Sequence, residues 1–431
     1  MTLNADIHVD IVTAPGSSDS GALPYSQRLV YLLSRYPAVS HTFFLNEIRE
    51  LRKLGFSIDV ASINPPDRDR TRMPEEEARE AERTLYIKST GMLKALWIAC
   101  GTLLLHPGVF LRGLRAALGL DRTNLRATVF ALFYFGEAMV LGNWMRQNKQ
   151  KHLHIHFCGP VATVGMIACL AWRFTYSLTV HGPDEFFDTE KFYLREKIEN
   201  ARFVFCISEF CRSQLMRIAS PEHWKKMQVV RLGVDPSVFN VAHRKKTHNE
   251  MLEIICVGRL VPAKGQLILL QAAARLESQG CPVRVRLVGD GPDRAHLEAF
   301  TVEKHLCVIF EGAKNHEEVR HLLESADIFA LASFAEGVPV ALMEAMAMEI
   351  PCVSTIIAGI PKLIRDGLDG LLVPASSSEA LADALKSLIN DSNLRDSIGA
   401  AGARHVNDRY NLRNNIQTLA AALNEQLSDI S

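Results

Sequence analysis

The residues best suited to chemistry in this chain are two cations that follow a strand and two carboxylates that flank a helix start. Arg259 and Lys264 sit in Val257-Gly258-Arg259-Leu260-Val261-Pro262-Ala263-Lys264-Gly265, directly after the apolar run Glu253–Val257. A strand ends there, a glycine admits a tight turn, and a helix is predicted over 266–276. A helix N-terminus already favours anions, and an arginine and a lysine beside it add positive charge. The pattern is neither a Walker loop nor a GxGxxG, so a triphosphate clamp is not implied. Taken alone, it also suits two surface cations in a loop.

The carboxylates lie in Ser333-Phe334-Ala335-Glu336-Gly337-Val338-Pro339-Val340, which runs into Ala341-Leu342-Met343-Glu344. Glu336 falls in the turn before Gly337. Glu344 falls about two turns into a helix that Pro339 helps to start. The amides around 337–340 then point at one spot where a phosphate fits. Glu336 would reach a sugar beside it and Glu344 the ribose hydroxyls, since dinucleotide sites pair a carboxylate with vicinal hydroxyls. An isolated glutamate on an amphipathic helix would carry no such meaning. Glu344, however, interrupts a helix start that is otherwise apolar.

The elements that must hold these residues recur in two series. Short apolar, β-rich runs are read at 28–34, 57–63, 153–157, 176–180, 203–207 and 228–231. After a polar stretch at 242–250 they resume at 253–257, 283–288, 307–311, 328–332, 352–354 and 370–373. Strands that are apolar throughout and alternate with helices indicate parallel sheets covered on both faces. Two such series imply an α/β protein of two Rossmann-like, doubly wound domains facing across a cleft, with ligands at the carboxyl ends of the strands. The division read is a leader over 1–25, an N-terminal domain over 26–240, a C-terminal domain over 250–411 and a final helical stretch over 412–431.

Composition agrees with two cores. A chain of 431 residues exceeds one ordinary domain. Lysine plus arginine and aspartate plus glutamate both total 48, so no overall field favours nucleic acid. Nine cysteines include no CxxC pair, which argues against a zinc site and for reduced thiols. The first residues lack the basic and apolar regions of a signal peptide. The apolar run at 95–105 is about half a bilayer span. A second at 127–145 contains Glu137 and two glycines and is read as a buried helix. The segment 88–151 reads as two or three helices and holds nine basic residues against two acidic ones. With Trp97, Leu103, Leu104, Leu105, Phe110 and Leu111 interleaved, it suits either peripheral contact with an anionic membrane or a solvated basic face.

Arg259, Lys264, Glu336 and Glu344 in this arrangement resemble the donor signature of the retaining GT-B glycosyltransferases of group 1, or family 4. Val288-Gly289-Asp290-Gly291-Pro292, Phe310-Glu311-Gly312, Ala358-Gly359-Ile360-Pro361 and 366–374 resemble further landmarks of that family. The resemblance implies a nucleotide-diphosphate sugar, UDP- or GDP-linked, as donor, with Arg259 and Lys264 on the diphosphate. Glu336 would contact the transferred sugar, Glu344 the ribose, and the base would stack near Gly312 and Lys314. Gly337, Val338, Pro339 and Val340 would complete the donor site. No metal or other cofactor is implied, and the sequence is read as holding no DxD triplet, the metal–diphosphate handle of the other glycosyltransferase fold.

Ser34-Arg35-Tyr36-Pro37-Ala38-Val39-Ser40-His41-Thr42-Phe43-Phe44, followed by Glu47, Ile48 and Leu51, resembles the opening of colanic-acid and other exopolysaccharide enzymes. Many family members carry a glycine-rich loop here; in this chain Ser40 or Thr42 would cap a helix facing the acceptor side, or serve only as an N-cap. His181, directly after a strand, matches the family's catalytic-region histidine, and Asp184 matches more loosely. His154 and His156 are read as facing opposite sides of their strand, without a role. In the family, 412–427 crosses back onto the N-terminal domain.

The reading is therefore a cytoplasmic, retaining glycosyltransferase acting on a glycan or lipid-linked glycan at the inner face of the plasma membrane. A same-fold nucleotide-sugar epimerase and a non-catalytic component of a polysaccharide system are the alternatives.

Overall fold

The computed structural model describes residues 25–38, 42–120, 125–243 and 251–430. Seven strands form the first sheet: β1 (Arg28–Arg35), β2 (Ser57–Asn64), β3 (Leu85–Tyr86), β4 (His152–His156), β5 (Thr175–Val180), β6 (Val204–Cys206) and β7 (Met227–Val229). Six form the second: β8 (Glu253–Val257), β9 (Arg284–Val288), β10 (Val308–Gly312), β11 (Ile328–Leu331), β12 (Cys352–Thr355) and β13 (Leu371–Val373). Their orders are β3-β2-β1-β4-β5-β6-β7 and β10-β9-β8-β11-β12-β13, with every named pair parallel. Each order reverses beside its first strand, and a crevice opens there at the carboxyl ends. The two sheets are the Rossmann-like halves of a GT-B architecture.

Alternation along β1 shows how the first sheet is covered. Val30 and Leu32 join one apolar cluster, with helix Pro160–Trp172 and the helical insertion. Leu29, Tyr31 and Leu33 join another, with helix Thr42–Lys53 and helix Leu412–Leu427. The last helix of the chain thus completes the core of the first domain. It is fixed at its start by the Val234–Asn411 bridge and by Asn415, whose Nδ2 donates to Leu232 O at 2.8 Å. A third cluster fills the second domain.

The insertion between β3 and β4 consists of helices Met92–Leu105, Pro107–Leu120 and Leu125–Gln147. Leu125–Gln147 is long and apolar enough to cross a membrane, yet its later residues Ala138–Leu141 and Met145 are buried in the first domain. The reading of a buried helix at 127–145 holds only for that later half. Val129, Phe130, Leu132 and Phe133 of the earlier half are exposed.

Because Leu423 is fully buried between helix Leu412–Leu427 and β1, Leu423→Ala should destabilise the N-terminal domain by about 2–5 kcal/mol. Urea unfolding followed through a probe in that domain checks this; a midpoint equal to wild type would contradict the packing.

Candidate active site

On the C-terminal side, β8 delivers Gly258 and Arg259, and a single 3-10 turn, Pro262–Lys264, delivers Lys264. Gly265 follows at φ +62°, and a Cβ there would lie 2.1 Å from Ala332 O, so only glycine lets the loop dock against the end of β11. Gln266 Nε2 donates to Arg259 O at 2.8 Å and pins the same loop. Lys264 Nζ lies 2.6 Å from Glu336 Oε1, and Ser333 Oγ donates to that oxygen at 2.7 Å. Glu336 is 6% exposed, so its charge is held by two close donors in a nearly dry position.

Helix Val340–Ala347 begins after Pro339 at the N-cap, and Glu344 is its fifth residue. That places Glu344 just over one turn into the helix, not two, at 3.6 residues per turn. Glu344 is buried and accepts from His316 Nε2 at 2.9 Å. Burial alone would lower the His316 pKa, but the hydrogen bond and charge of Glu344 outweigh it and raise the value. His316 went unread in the sequence; the only local signal is the Asn315–Glu318 capping box that opens helix His316–Leu323 beside the cleft. Lys314 also lines the cleft, with Glu311 at 3.8 Å and Glu318 at 3.6 Å. Gly312 ends β10 at φ +74° and turns the chain without lining the cleft itself.

On the N-terminal side, His181 follows β5 directly and is buried at the cleft wall. Glu185, which the sequence reading passed over for its neighbour Asp184, fixes this loop. Its Oε2 accepts the amides of His181 at 2.6 Å and Gly182 at 2.9 Å, and its Oε1 accepts the amide of Cys158. Burial pushes the Glu185 carboxyl up, against the lowering effect of those amides. Lys197 Nζ donates to Cys158 O and Gly159 O at 2.7 and 2.9 Å, and burial brings its ammonium down to about 8. Asp184 lines the cleft from an exposed position. Ser40 lies outside the described residues. Thr42 opens helix Thr42–Lys53, its side chain outside the description, and Phe43 meets the cleft beside it.

The histidines of β4 require a correction. Residues two apart on a strand share a face, and His152, His154 and His156 form one buried row. Both nitrogens of His152 and of His154 are bonded to hydroxyls of Thr175, Ser177 and Thr179 on β5 at 2.7–2.9 Å. His156 Nδ1 lies 3.0 Å from His181 Nε2, and its Nε2 faces Glu47 Oε1 at 3.3 Å. Tyr31 donates to the same Glu47 oxygen at 2.7 Å. Burial drives His156 down to about 3, which keeps it neutral. The row buttresses His181 from behind. Asp67-Arg68-Asp69 is a DxD triplet that sequence reading overlooked; Asp67 lines the cleft, while Arg68 pairs with Glu77. No cluster of three metal-ligating side chains forms among the described residues.

The two walls touch at Gly337. A Cβ there would sit 1.9 Å from His181 O, so the Glu336 turn and the His181 loop meet backbone to backbone. Between them the cleft holds about 520 Å³, lined by His181, Asp184, Arg259, Lys264, Lys314, the run Glu336, Gly337, Val338, Pro339 and Val340, and Glu344. Two cations, helix-start amides and two buried carboxylates can together bind a diphosphate beside a polyol.

Gly337→Ala should force the walls apart: scattering should report a larger radius of gyration, and turnover should fall by about tenfold or more. An unchanged radius with full turnover would refute the contact. The His316–Glu344 pair yields a pH dependence. A histidine pKa raised on folding stabilises below its unfolded value of 6.5, and that contribution is lost as pH rises through the folded value. The melting temperature of His316→Gln should therefore fall furthest below wild type at pH below 6.5 and approach it as pH rises above that value. A gap that widens as pH rises would reverse the assignment.

Comparison with known proteins follows the same division. Residues 40–238 match the model of Glycosyltransferase Family 4, and residues 239–405 match that of Glycosyl transferases group 1. The amylovoran biosynthesis glycosyltransferase AmsK of Erwinia amylovora is 29% identical over 383 residues, covering 82% of this chain and 89% of that one. A protein of Salmonella typhimurium named as a colanic acid biosynthesis glycosyltransferase, WcaL, is 29% identical with the same coverage. Among solved structures, sucrose-phosphate synthase of Thermosynechococcus elongatus superposes with a TM-score of 0.71 at 18% identity, over 94% of this chain and all of that one. Anabaena Alr3699/HepE, solved in complex with UDP-glucose, superposes at 0.67 with 17% identity, over 92% and 99%. With both halves matched in order and the fold shared along its length, the chain belongs to the group 1, family 4 glycosyltransferases.

Proposed function

We propose that this glycosyltransferase moves a sugar, with retention of configuration, from a UDP- or GDP-linked donor to a lipid-linked glycan in exopolysaccharide synthesis, on the cytoplasmic side of the membrane. The observation that carries the reading is the Lys264–Glu336 pair, half-buried in the wall of one cleft that Arg259 and His181 also line. Its support outside the chain is the naming of AmsK and WcaL for exopolysaccharide pathways and the UDP-glucose complex of Alr3699/HepE.

In this proposal the donor diphosphate lies against Arg259, Lys264 and the amides after Glu336. Lys264 then faces both phosphate and Glu336. As the bond from sugar C1 to the phosphate oxygen breaks, negative charge grows on that oxygen, and fixed cations stabilise it more in the transition state than in the ground state. The acceptor hydroxyl oxygen forms the new bond to C1 on the face the phosphate leaves. Its proton passes to the departing phosphate oxygen, which balances the step without a covalent enzyme intermediate. Glu336 orients the sugar hydroxyls and Glu344 the ribose, with His316 holding Glu344 in place. His181, set by Glu185 and backed by His156, contacts the sugar from the opposite wall. Because the cations supply the charge, the reaction is proposed to run without a metal.

Thermal-shift measurements against UDP, GDP and their sugar conjugates test the donor. A nucleotide that binds the native protein at about 100 times its Kd adds about 2.7 kcal/mol of stability. The matching base should raise the melting temperature, and neither base doing so would sink the reading. Glu336→Ala and Lys264→Ala should each lower kcat by about 100-fold or more, and EDTA should leave the wild-type rate unchanged. Full polymer synthesis by Glu336→Ala would instead favour a non-catalytic role.

A further inference from the structure

We propose that the projecting half of the helical insertion docks into an anionic lipid bilayer and holds the cleft at the membrane surface. The inference extends the proposed function by naming how a lipid-linked acceptor reaches the site, and for that consequence it rests on that reading.

Two apolar stripes carry it. On helix Met92–Leu105, residues Leu93, Leu96, Trp97, Leu103 and Leu104 recur at helical spacing and are all exposed, Trp97 at 78% and Leu93 at 84%. On helix Leu125–Gln147, residues Leu125, Val129, Leu132 and Phe133 do the same. The two helices pack side by side. Soluble monomers rarely leave contiguous apolar surface of this kind, and where they do it marks an interaction site.

Chain direction fixes where the face points. Helix Leu125–Gln147 leads through only Asn148–Lys151 into the start of β4, so it runs antiparallel to that strand. Its 23 residues span about 34 Å at 1.5 Å each, whereas the five residues of β4 span about 16 Å. The half nearest β4 is buried against the domain, so the excess overshoots at the other end, beyond the strands' carboxyl ends. The cleft opens at those same ends. The exposed apolar half and the cleft mouth therefore lie toward one end of the N-terminal domain.

Charge selects the occupant. The chain as a whole is neutral, yet 88–151 holds nine basic residues against two acidic ones. Lys94 and Arg126 are exposed on the striped helices themselves, and Arg115 is exposed on the helix between them. A second copy meeting this face would set like charges against like. Anionic headgroups over an acyl layer match both the basic rim and the apolar stripes.

The test is sedimentation of the full chain with vesicles of phosphatidylcholine alone or with about 30% phosphatidylglycerol, at low and high salt. The expected result is binding to the anionic vesicles, weakened by salt and reduced about tenfold or more in Trp97→Ser/Phe133→Ser. These side chains are exposed, so the variant should melt with wild type and keep its response to nucleotide. Absence of wild-type binding, or equal binding by the variant, would overturn the proposal. So would a dimer that the variant dissolves, which would assign the face to a second copy. Loss of the nucleotide response with vesicle binding intact would fault the donor reading alone.

Discussion

The backbone contact between Gly337 and His181 is the constraint on which the rest of the site depends. It brings the start of helix Val340–Ala347, from one domain, against the end of β5, from the other. Everything that would face a donor is set relative to that point. Glu336 precedes it by one residue, Glu344 follows within the next helix, and Lys264 reaches it through Glu336. A side chain larger than hydrogen at 337 would place the two walls at the wrong separation, and catalysis by orientation tolerates little displacement.

Such a contact holds only if both loops are stiff, and each is stiffened by a different device. The His181 loop is held from beneath by one buried carboxylate, Glu185, whose two oxygens accept three backbone amides from two strand ends. Lys197 answers it on the carbonyl side of the same turn. The Glu336 loop is held by Ser333 and Lys264, and Gly265 locks the Lys264 turn to the end of β11. Buried charges of this kind contribute little net stability, because desolvation offsets their attraction. Their effect here is geometric.

The fold was legible in the sequence because the central strands are buried on both faces and end on turns, which leaves apolar runs with a visible stop. Only β3 escaped, since two residues carry no period. Arg259, Lys264 and Glu336 stood out as candidates for a related reason: they sit where strands stop. Glu185 and His316 did not. Glu185 matters through the amides of residues 158, 181 and 182, and His316 through Glu344, 28 positions away. Nothing local to Glu185 distinguishes it from a surface residue beside a turn, and the Asn315–Glu318 capping box next to His316 marks only a helix start. The face shared by His152, His154 and His156 follows from strand geometry alone. Their partners, the hydroxyls of Thr175, Ser177 and Thr179, follow only from the register of β4 against β5.

That register carries the last step. A row of three buried histidines would be costly in a sheet core unless each polar atom were met, and β5 meets His152 and His154 with hydroxyls at every second residue. The series stops at His156, where the next position on β5 would be His181 and the cleft begins. There the partner is another imidazole, and the far nitrogen turns to Glu47 instead of a hydroxyl. Because burial keeps His156 neutral, its single proton can satisfy only one side at a time. Its Nδ1 lies 3.0 Å from His181 Nε2, so whichever of the two nitrogens holds the proton donates it to the other. The hydroxyls of Thr175, Ser177 and Thr179 can rotate to suit either tautomer; Glu47 and His181 cannot. The polar row thus loses its rotatable hydroxyls at the residue that reaches the cleft.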